Sequence, residues 1–507
     1  MLYWINKKAL LQLMIIAIIL VASLGVINLT SYAQSGQPET PDSLDIYKVF
    51  IPQLAQDYPW ESPFGIESTA PLLATNTFLQ RAADLQLGMA RMGNHISWRE
   101  LQPVEGGDIA WGLLATFEEE LRGMKENGIR PLVIIKDHPY WALDPEKARD
   151  TNGDLTSCGP IADDKMDDFA AFVQEVVERY KTDEFNVHDW ELGNEPDVDP
   201  TMVPRNGGYG CWGDINDQEY FGGEQYGRML MAVTPAIRQV DSKARVWIGG
   251  LLLDKPQTPN PEEEGYPERF FKGILQAGAA PSFDIVAYHR YAHYFDFQGD
   301  GTSYDYDILG QWGNVGGVIG KGRYLRQVMA EYGVDKPLVL NESGFGCIPD
   351  YLYCQASDDL FYESQATHLV RFSIRALSEN VGGFIWYTLN GPGWRNAGLL
   401  DANQQPRKVY YAYRYLSQKL RFARYQSTAD YGPGVEAYAF RVNSQRIHVL
   451  WAKEDQTLDV FIPASKFIEA ADRYGNILFD QSNPPPQNGS DYVIPVGFEP
   501  ILITNNP

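Results

Sequence analysis

Two glutamates of this 507-residue chain stand where apolar, strand-like runs end, a placement that would let them do chemistry. Glu195 ends the run that begins at Val187, and Glu342 ends the run that begins at Pro337. Two facing carboxyl groups can divide acid–base and nucleophilic work, because one can keep a proton near neutral pH while the other is ionised. The two residues are far apart in the chain, so the fold must bring them together.

Apolar strands alternate with amphipathic helical patterns over most of the chain, which predicts βαβ units around a parallel sheet. The predicted strands are Phe64–Ser68, Met89–Trp98, Arg130–His138, Val187–Glu195, Arg245–Leu253, Phe283–Tyr291, Pro337–Glu342 and Gly383–Thr388. The predicted helices are Phe117–Asn127, Met166–Tyr180, Glu224–Val240, Glu268–Ala277, Arg323–Tyr332, Gln365–Glu379 and Lys408–Leu420. This order predicts an α/β fold, a closed (β/α)8 TIM barrel with its active face at the C-terminal strand ends. The alternative is a doubly wound open sheet, which would want a Gly-rich loop after the first strand, where the sequence has none.

Beyond about Arg421 the helical pattern stops and short alternating strands begin, which predicts a small antiparallel β-domain. These strands are Ala437–Arg441, Ile447–Ala452, Thr457–Ile462 and Tyr492–Pro495. The predicted domains are a signal peptide or membrane anchor at 1–33, a linker at 34–55, the catalytic barrel at 56–420 and a β-sandwich-like domain at 421–507.

The N-terminus has the pattern of an export signal. Lys7 and Lys8 precede the apolar run Ala9–Leu29, and Ser31–Ala33 supplies small residues for cleavage. The run is nearly long enough to span a bilayer, so an uncleaved membrane tether is the alternative. Either case predicts an extracellular or cell-surface protein.

The net charge of the chain limits the classes of partner that it can bind. Lys and Arg number 42 and Asp and Glu 66, and the formal net charge of −24 disfavours nucleic acid, whose phosphates demand a basic surface. Aromatic residues make up 13% of the chain, and the flat apolar faces of Tyr and Trp suit sugar rings. A neutral carbohydrate is therefore the predicted partner, and no protein partner is implied. The histidines lack metal-site spacing, so we expect neither a metal nor a cofactor.

The segment Trp190–Pro196 resembles the strand-four W-E-x-x-N-E-P signature of glycoside hydrolase clan A, in the form seen in family 39 and cellulase-like relatives. The resemblance implies that Glu195 is the acid/base and that Asn194 hydrogen-bonds the sugar 2-hydroxyl beside the reacting carbon. The strand-seven glutamate of the clan is the nucleophile, which implies that role for Glu342. The resemblance covers roughly residues 60–420.

Other candidate site residues lie on the predicted strands or at their ends. His289 and Tyr291 are similar to the clan's H-x-Y, which implies that the histidine lines the substrate site and the tyrosine holds the nucleophile by a hydrogen bond. Trp386 resembles the strand-eight tryptophan that forms the floor of the −1 subsite, and Arg91 resembles an arginine that supports the nucleophile. His138, at the end of the third strand, is a further candidate for lining the cleft.

Some acidic residues near these positions have plainer explanations. Glu191 shares a strand face with Glu195, and we expect it to be an interior barrel residue. Glu67 and Asp137 end strands and are best explained as cleft lining or loop support.

The candidate residues predict a retaining glycoside hydrolase that cleaves O-glycosidic bonds in a β-linked polysaccharide or oligosaccharide by double displacement. Matrix polysaccharide, cellulose or xylan fragments and small xylosides all stay open as substrates. Two other classes are a non-catalytic cell-surface glycan-binding protein that keeps the barrel, and a structural wall or matrix protein. Intact carboxylates argue against the binding protein, because a binding module has no need of both.

Four cysteines in an exported chain suggest disulfides, and four allow three pairings. Cys158 and Cys211 lie on loops after the third and fourth strands, while Cys347 and Cys354 share the loop after the seventh. Adjacent loops can bring Cα atoms within bonding range, so we expect Cys158–Cys211 and Cys347–Cys354. A zinc site built from all four is the alternative, although they lack a close CxxC spacing.

Overall fold

The computed structural model describes residues 62–69, 76–203, 208–254, 266–294, 312, 316–347 and 359–507. The predicted signal or anchor segment at 1–33 and the linker at 34–55 lie outside these residues. Among the residues that are described, no helix is both long and apolar enough to cross a membrane.

Parallel strands of the described chain form one eight-stranded sheet that curls into the predicted (β/α)8 barrel. The strands are β1 Phe64–Ser68, β2 Met89–Ser97, β3 Arg130–Lys136, β4 Asp189–Leu192, β5 Arg245–Ile248, β6 Val286–His293, β7 Leu338–Gly346 and β8 Phe384–Trp386. Their order in the sheet is β5-β4-β3-β2-β1-β8-β7-β6, and parallel bridges from Trp247 to Ile285 and from Leu251 to Tyr288 link β5 to β6. Strands that follow one another in the chain are therefore neighbours all round, whereas a doubly wound sheet reverses its order at a switch point.

A helix follows each barrel strand. Apart from the one-turn helix Trp98–Leu101 after β2, the described α-helices are α1 Asn76–Asp84, α2 Ala115–Glu126, α3 Met166–Tyr180, α4 Gly223–Val240, α5 Phe270–Gln276, α6 Gly316–Glu331, α7 Asp359–Ser378 and α8 Lys408–Lys419. In α3 the apolar residues Phe169, Val173, Val176 and Val177 recur at helical spacing and are buried. This spacing gives the helix one apolar face, which packs against the outside of the sheet.

Two apolar layers lie on either side of the barrel wall, because successive side chains of a strand point to opposite faces. The inner layer is a small cluster of buried residues: Met89, Leu132, Trp247, Ile285, Ala287, Val339 and Ile385. The outer layer belongs to the main core between the sheet and the helices, and on β8 it includes Phe384 and Trp386. The polar site residues lie further along the same strands, toward their C-terminal ends.

A register irregularity on β7 changes which side chains face inward. Tyr288 on β6 pairs with Leu340, but the next residue, His289, pairs with Glu342, so Asn341 is an extra residue on β7. Such a bulge lets two consecutive side chains leave the strict alternation. Asn341 donates from Nδ2 to Glu191 Oε1 at 2.9 Å, and Glu342 also reaches the barrel interior.

The C-terminal part consists of two antiparallel sheets, as expected for a β-domain. The strands are β9 Arg424–Thr428, β10 Val435–Val442, β11 Gln445–Ala452, β12 Leu458–Pro463, β13 Phe467–Asp472, β14 Ile477–Asp480, β15 Gln487–Asn488, β16 Asp491–Val496 and β17 Ile501–Asn505. The larger sheet has the order β14-β13-β17-β11-β10-β9, and the smaller has the order β12-β16-β15. Both contribute to one apolar cluster, with Leu450 and Ile503 from the larger sheet and Val460 and Ile494 from the smaller.

Candidate active site

Arg91 occupies the mouth of the barrel, where three buried glutamates surround its guanidinium. Nε and Nη2 bind the two oxygens of Glu191 at 2.8 and 2.9 Å. Nη1 contacts Glu67 Oε2 at 2.7 Å and Glu342 Oε2 at 2.5 Å. Nη2 also donates to Asn194 Oδ1 at 2.6 Å. One cation therefore ties together side chains from β1, β7 and the end of β4.

Glu342 is held in its ionised form by three neighbours. Tyr291 donates its hydroxyl to Oε1, Arg91 Nη1 contacts Oε2, and His289 Nε2 lies 3.7 Å from Oε2. Burial by itself would raise the pKa of Glu342, but His289, Arg91 and Tyr291 outweigh it and hold the pKa below its ordinary value. A buried carboxylate with these partners is available as an anion at neutral pH.

His289 lies between Glu342 and Glu195. Its Nδ1 is 2.9 Å from Glu195 Oε1, and the ring is fully buried. Burial lowers the pKa of His289, yet the two carboxyl groups raise it more than burial lowers it. One oxygen of Glu195, one oxygen of Glu342 and a ring nitrogen of His289 lie within 4.8 Å of one another.

Gly250, just beyond β5, makes room for this arrangement. A Cβ atom at Gly250 would lie 1.9 Å from His289 Nε2, so a side chain there would displace the imidazole. The Gly250 N–H donates to Glu191 Oε1 at 2.9 Å, and its carbonyl accepts from the Glu195 N–H at 3.0 Å. Glu195 has a φ of 48°, which is uncommon for a residue with a side chain, and this backbone bond helps to hold it there.

Several solved structures with a similar fold are glycoside hydrolases, although no family model and no curated protein matches the sequence. A family 39 glycoside hydrolase from Bacteroides cellulosilyticus has a TM-score of 0.63 at 17% identity, over 88% of this chain and 81% of that one. A family 30 endoxylanase from Clostridium papyrosolvens has a TM-score of 0.57 at 12% identity, over 88% and 96% of the two chains. A family 39 β-xylosidase from Caulobacter crescentus has a TM-score of 0.54 at 15% identity, with the same coverages. The chain has the fold of these clan A glycoside hydrolases.

The glycosidase fold brings most of the predicted site residues together. Those that meet around the guanidinium of Arg91 or the ring of His289 are Glu195, Glu342, Asn194 and Tyr291. Two hydrogen bonds fix the orientation of the Asn194 amide: its Oδ1 accepts from Arg91, and its Nδ2 donates to the Gly208 carbonyl at 2.9 Å. Glu191 is an interior residue, as expected, and it is fully buried beneath the pair.

Trp386 is not part of this group, and the prediction that it forms a floor for substrate is wrong. Its side chain is fully buried in the outer core, with Nε1 donating to the Ala397 carbonyl at 2.9 Å. The alternation along β8 explains the error: Ile385 points into the barrel, so Trp386 points out toward the helices and Tyr387 points in again. Tyr387 packs edge-on against Tyr291, with ring centroids 5.9 Å apart.

His138 is also excluded from the site. It is buried among Trp98, Phe169 and Trp212, with ring centroids 5.4–6.3 Å away, and Nδ1 lies 2.9 Å from the Gly159 carbonyl. Burial lowers its pKa to about 4, so the ring is neutral at physiological pH. The residue therefore supports the loop that carries Cys158.

Sequence reasoning did not find the aromatic residues at the rim of the site. Trp394, 43% exposed, packs edge-on against Tyr291 at 5.1 Å between centroids, and the guanidinium of Arg395 lies over its indole at 4.3 Å. Tyr209 lies close enough to the two catalytic candidates that they help burial to raise its pKa. The signal available for Trp394 was its place at the end of the Gly-Pro-Gly-Trp sequence at 391–394, in the loop that follows the last barrel strand.

The Cys158–Cys211 disulfide is present, with 5.1 Å between the Cα atoms, and it rules out a zinc site made from all four cysteines. It lies in a small apolar cluster with Val203, and Tyr209 packs against that cluster. The bridge therefore supports the loop that brings Tyr209 and the Gly208 carbonyl to the site. Cys347 is buried at the end of β7, but Cys354 lies outside the described residues, so the second pairing stays a prediction.

The trio Glu195, His289 and Glu342 is the one group in the described chain with the spacing of a metal site. A cation there would compete with Arg91 and with the Tyr291 hydroxyl for the oxygens of Glu342. The positive charge of the Arg91 guanidinium, which contacts Glu342 Oε2 at 2.5 Å, would also repel a metal ion bound to that oxygen. The arrangement thus suits an electrophilic carbon of a substrate better than a second cation.

Proposed function

We propose that the chain is a retaining glycoside hydrolase that cleaves β-linked glycans by double displacement, with Glu342 as the nucleophile and Glu195 as the acid/base. The observation that carries this proposal is the close approach of the two carboxyl groups, whose oxygens lie within 4.8 Å. Retaining enzymes hold these groups about 5 Å apart, whereas inverting enzymes leave about 6.5–9.5 Å for a water molecule. The short separation supports attack by a carboxylate rather than by water.

The surroundings of the two glutamates support this division of roles. Glu342 has its pKa lowered and has two donors, Arg91 and Tyr291, on its oxygens, which is what an anionic nucleophile needs. Glu195 has no guanidinium contact among the described residues, and its side-chain partner is His289. A carboxyl group in that setting can exchange its proton with a substrate oxygen.

The reaction then proceeds in two steps. Glu342 attacks the anomeric carbon while Glu195 gives its proton to the departing glycosidic oxygen, and a glycosyl ester forms on Glu342. Glu195, now ionised beside His289, takes a proton from water, and the resulting hydroxide attacks the same carbon and releases Glu342 as a carboxylate. Two inversions at one carbon give net retention.

The lining of the site suits a sugar. Asn194 is held by Arg91 and Gly208 in a fixed orientation from which it can bond a hydroxyl beside the reacting carbon. Tyr387 and Trp394 add aromatic surface next to Tyr291. Two of the similar structures are an endoxylanase and a β-xylosidase, so β-xylosides are the first substrates to test.

We also propose that this chemistry takes place outside the cytoplasm. The Cys158–Cys211 disulfide persists in oxidising compartments and is rare in the cytosol. The N-terminal sequence, in which two lysines precede a long apolar run, independently supports export from the cytoplasm.

Azide rescue tests the two roles separately. The Glu342→Ala variant should lose at least about 10³-fold in turnover, and azide should restore it with an inverted glycosyl azide as product. The Glu195→Ala variant should be restored by azide on activated aryl glycosides, with a retained glycosyl azide. Glu105→Ala, at a residue whose side chain is 55% exposed, is the control and should keep wild-type turnover. An exchange of the two azide products between the variants would reverse the assignment.

A further inference from the structure

More carboxyl groups surround Arg91 than one guanidinium can neutralise. Glu67, Glu191 and Glu342 all contact it, and all three are at least nine-tenths buried, with exposures of 5%, 0% and 9%. If all three were ionised, Arg91 would balance one negative charge and a protonated His289, 3.7 Å from Glu342 Oε2, would balance at most one more, so at least one buried charge would stay unmatched. Burying an unpaired charge is costly, and a protein avoids it by protonating one of the groups.

The hydrogen bonds identify which of the three holds the proton. Glu191 accepts from two nitrogens of Arg91, from the Gly250 N–H and from Asn341 Nδ2. Glu342 accepts from Arg91 and from the Tyr291 hydroxyl. The described residues give Glu67 one side-chain donor, Arg91 Nη1, and that same nitrogen is shared with Glu342. Glu67 therefore has the least support for a negative charge.

We propose that Glu67 is a third functional carboxyl group of the site, a positioning residue that keeps a proton while Glu342 is ionised and becomes more acidic when Glu342 is glycosylated. This rests on the proposed role of Glu342. The protonated Glu67 leaves Arg91 Nη1 to the nucleophile. Once Glu342 is an ester, Nη1 has lost its anionic partner there, and Glu67 takes over as its counterion.

The charges balance in each step. In the first step a bond forms between Glu342 and the anomeric carbon, the glycosidic C–O bond breaks, and the proton of Glu195 goes to the leaving oxygen. The negative charge of Glu342 disappears in the ester, and Glu67 can release its proton to water without adding charge to the cluster. In the second step water cleaves the ester, Glu342 regains its charge and Glu67 regains a proton from water.

The groups that face Glu67 agree with this coupling. Burial raises its pKa to about 8; Arg91 on β2 opposes the rise, Glu342 on β7 adds to it, and His289 on β6 opposes it. Two tyrosines, Tyr291 on β6 and Tyr387 after β8, also lie within electrostatic reach of Glu67. The pKa of Glu67 thus depends directly on the charge of Glu342.

An infrared pH titration of the full chain measures this coupling without any substrate. A protonated carboxyl group absorbs apart from a carboxylate, so the wild-type protein should lose a carboxyl band with a midpoint at about pH 8. The band should be absent from Glu67→Gln. In Glu342→Gln, whose uncharged amide resembles the glycosyl ester, the midpoint should fall by about one pH unit or more, because a neighbouring like charge has been removed.

Two further groups provide controls. Asp197, whose pKa burial raises to about 7, gives its own band, which should persist in Glu67→Gln. Glu436 is paired with Arg375 at 2.8 Å in the C-terminal part, and Glu436→Gln should leave the midpoint at about pH 8 in place.

Either of two results overturns the proposal: identical carboxyl bands in wild type and Glu67→Gln, or an unchanged midpoint in Glu342→Gln. If Glu67→Gln does not fold, as judged by circular dichroism, the midpoint in Glu342→Gln decides alone. The readout is protonation, so its failure is separate from that of the proposed function. A chain in which azide rescues Glu342→Ala but Glu67 does not titrate keeps the function and loses this inference.

Discussion

Replacing Tyr291 by Phe removes one hydroxyl from the site and changes little else, so it isolates the contribution of one hydrogen bond to the nucleophile. The hydroxyl donates to Glu342 Oε1, and the carboxylate it binds is buried. A hydrogen bond to a charged group contributes about 1.5–3 kcal/mol, and 1.36 kcal/mol corresponds to about one pH unit in a pKa. The pKa of Glu342 should therefore rise by about one to two pH units in Tyr291→Phe.

The sign of the activity change follows from the ionised nucleophile. The neighbours of Glu342 lower its pKa, so the fall of kcat/KM at low pH reports the protonation of this nucleophile. In Tyr291→Phe this acidic limb should move to higher pH. The same hydroxyl stabilises the carboxylate that departs in the second step, so deglycosylation should slow by about 10- to 100-fold and the glycosyl-enzyme should accumulate.

Stopped-flow kinetics with a dinitrophenyl glycoside measure both effects, as a burst of phenolate followed by slow turnover and as a pH profile of kcat/KM. Tyr387→Phe is the matched control, because this neighbouring tyrosine lies 5.9 Å from Tyr291 between centroids and donates no described hydrogen bond to Glu342. An acidic limb that stays in place in Tyr291→Phe, or an equal shift in Tyr387→Phe, would refute the reasoning.

Three other changes separate substrate contacts from support of the fold. Trp394→Ala removes an exposed aromatic face and should raise KM roughly tenfold, about 1–2 kcal/mol, with kcat nearly unchanged; an unaltered KM would remove the residue from the substrate site. Trp386→Phe leaves the Ala397 carbonyl without its donor and should cost about 1–3 kcal/mol in thermal unfolding, whereas a large fall in kcat/KM would reinstate it as a substrate contact. The double variant Cys158→Ser, Cys211→Ser removes a crosslink between residues 53 positions apart in the chain. Its free energy of unfolding, measured by guanidinium denaturation, should fall by up to about 4 kcal/mol, and unchanged stability would contradict a supporting role.

The barrel was predictable because its signal is repeated. Eight apolar runs alternating with helical patterns are visible in the sequence, and α3 has the predicted bounds, Met166–Tyr180. Weaker patterns were missed, among them α1 at Asn76–Asp84, which has no buried stripe long enough to stand out, and β17 at Ile501–Asn505, whose short apolar run is flanked by Pro500 and Asn506.

The ends of the strands were harder to predict, and the site depends on them. The strand predicted as Val187–Glu195 ends at Leu192, because Gly193 and Glu195 both turn to positive φ. The bulge that turns Asn341 and Glu342 inward comes from pairing between β6 and β7, which a single sequence does not encode visibly. The face of Trp386 depends on the same kind of register.

The contacts of Arg91 show that the roles of charged residues are also hard to predict from a single sequence. A strand-end glutamate such as Glu67 is compatible with cleft lining, loop support or a part in the chemistry, and the sequence does not distinguish these. Its contact with Arg91 Nη1 at 2.7 Å arises because β1 and β2 pair in parallel with Glu67 opposite Arg91. Distances across strands, rather than residue types, assign it to the site.

Trapping with 2-deoxy-2-fluoro glycosides tests the central claim most directly. Such a probe slows release, so a panel that begins with β-xylosides should leave a covalent sugar on the protein, detected by intact and peptide mass spectrometry. The account predicts one sugar per chain, on the peptide that carries Glu342, and its loss in Glu342→Gln. A label on any other residue, or hydrolysis of a natural substrate with inversion at the anomeric carbon by proton NMR, would contradict it.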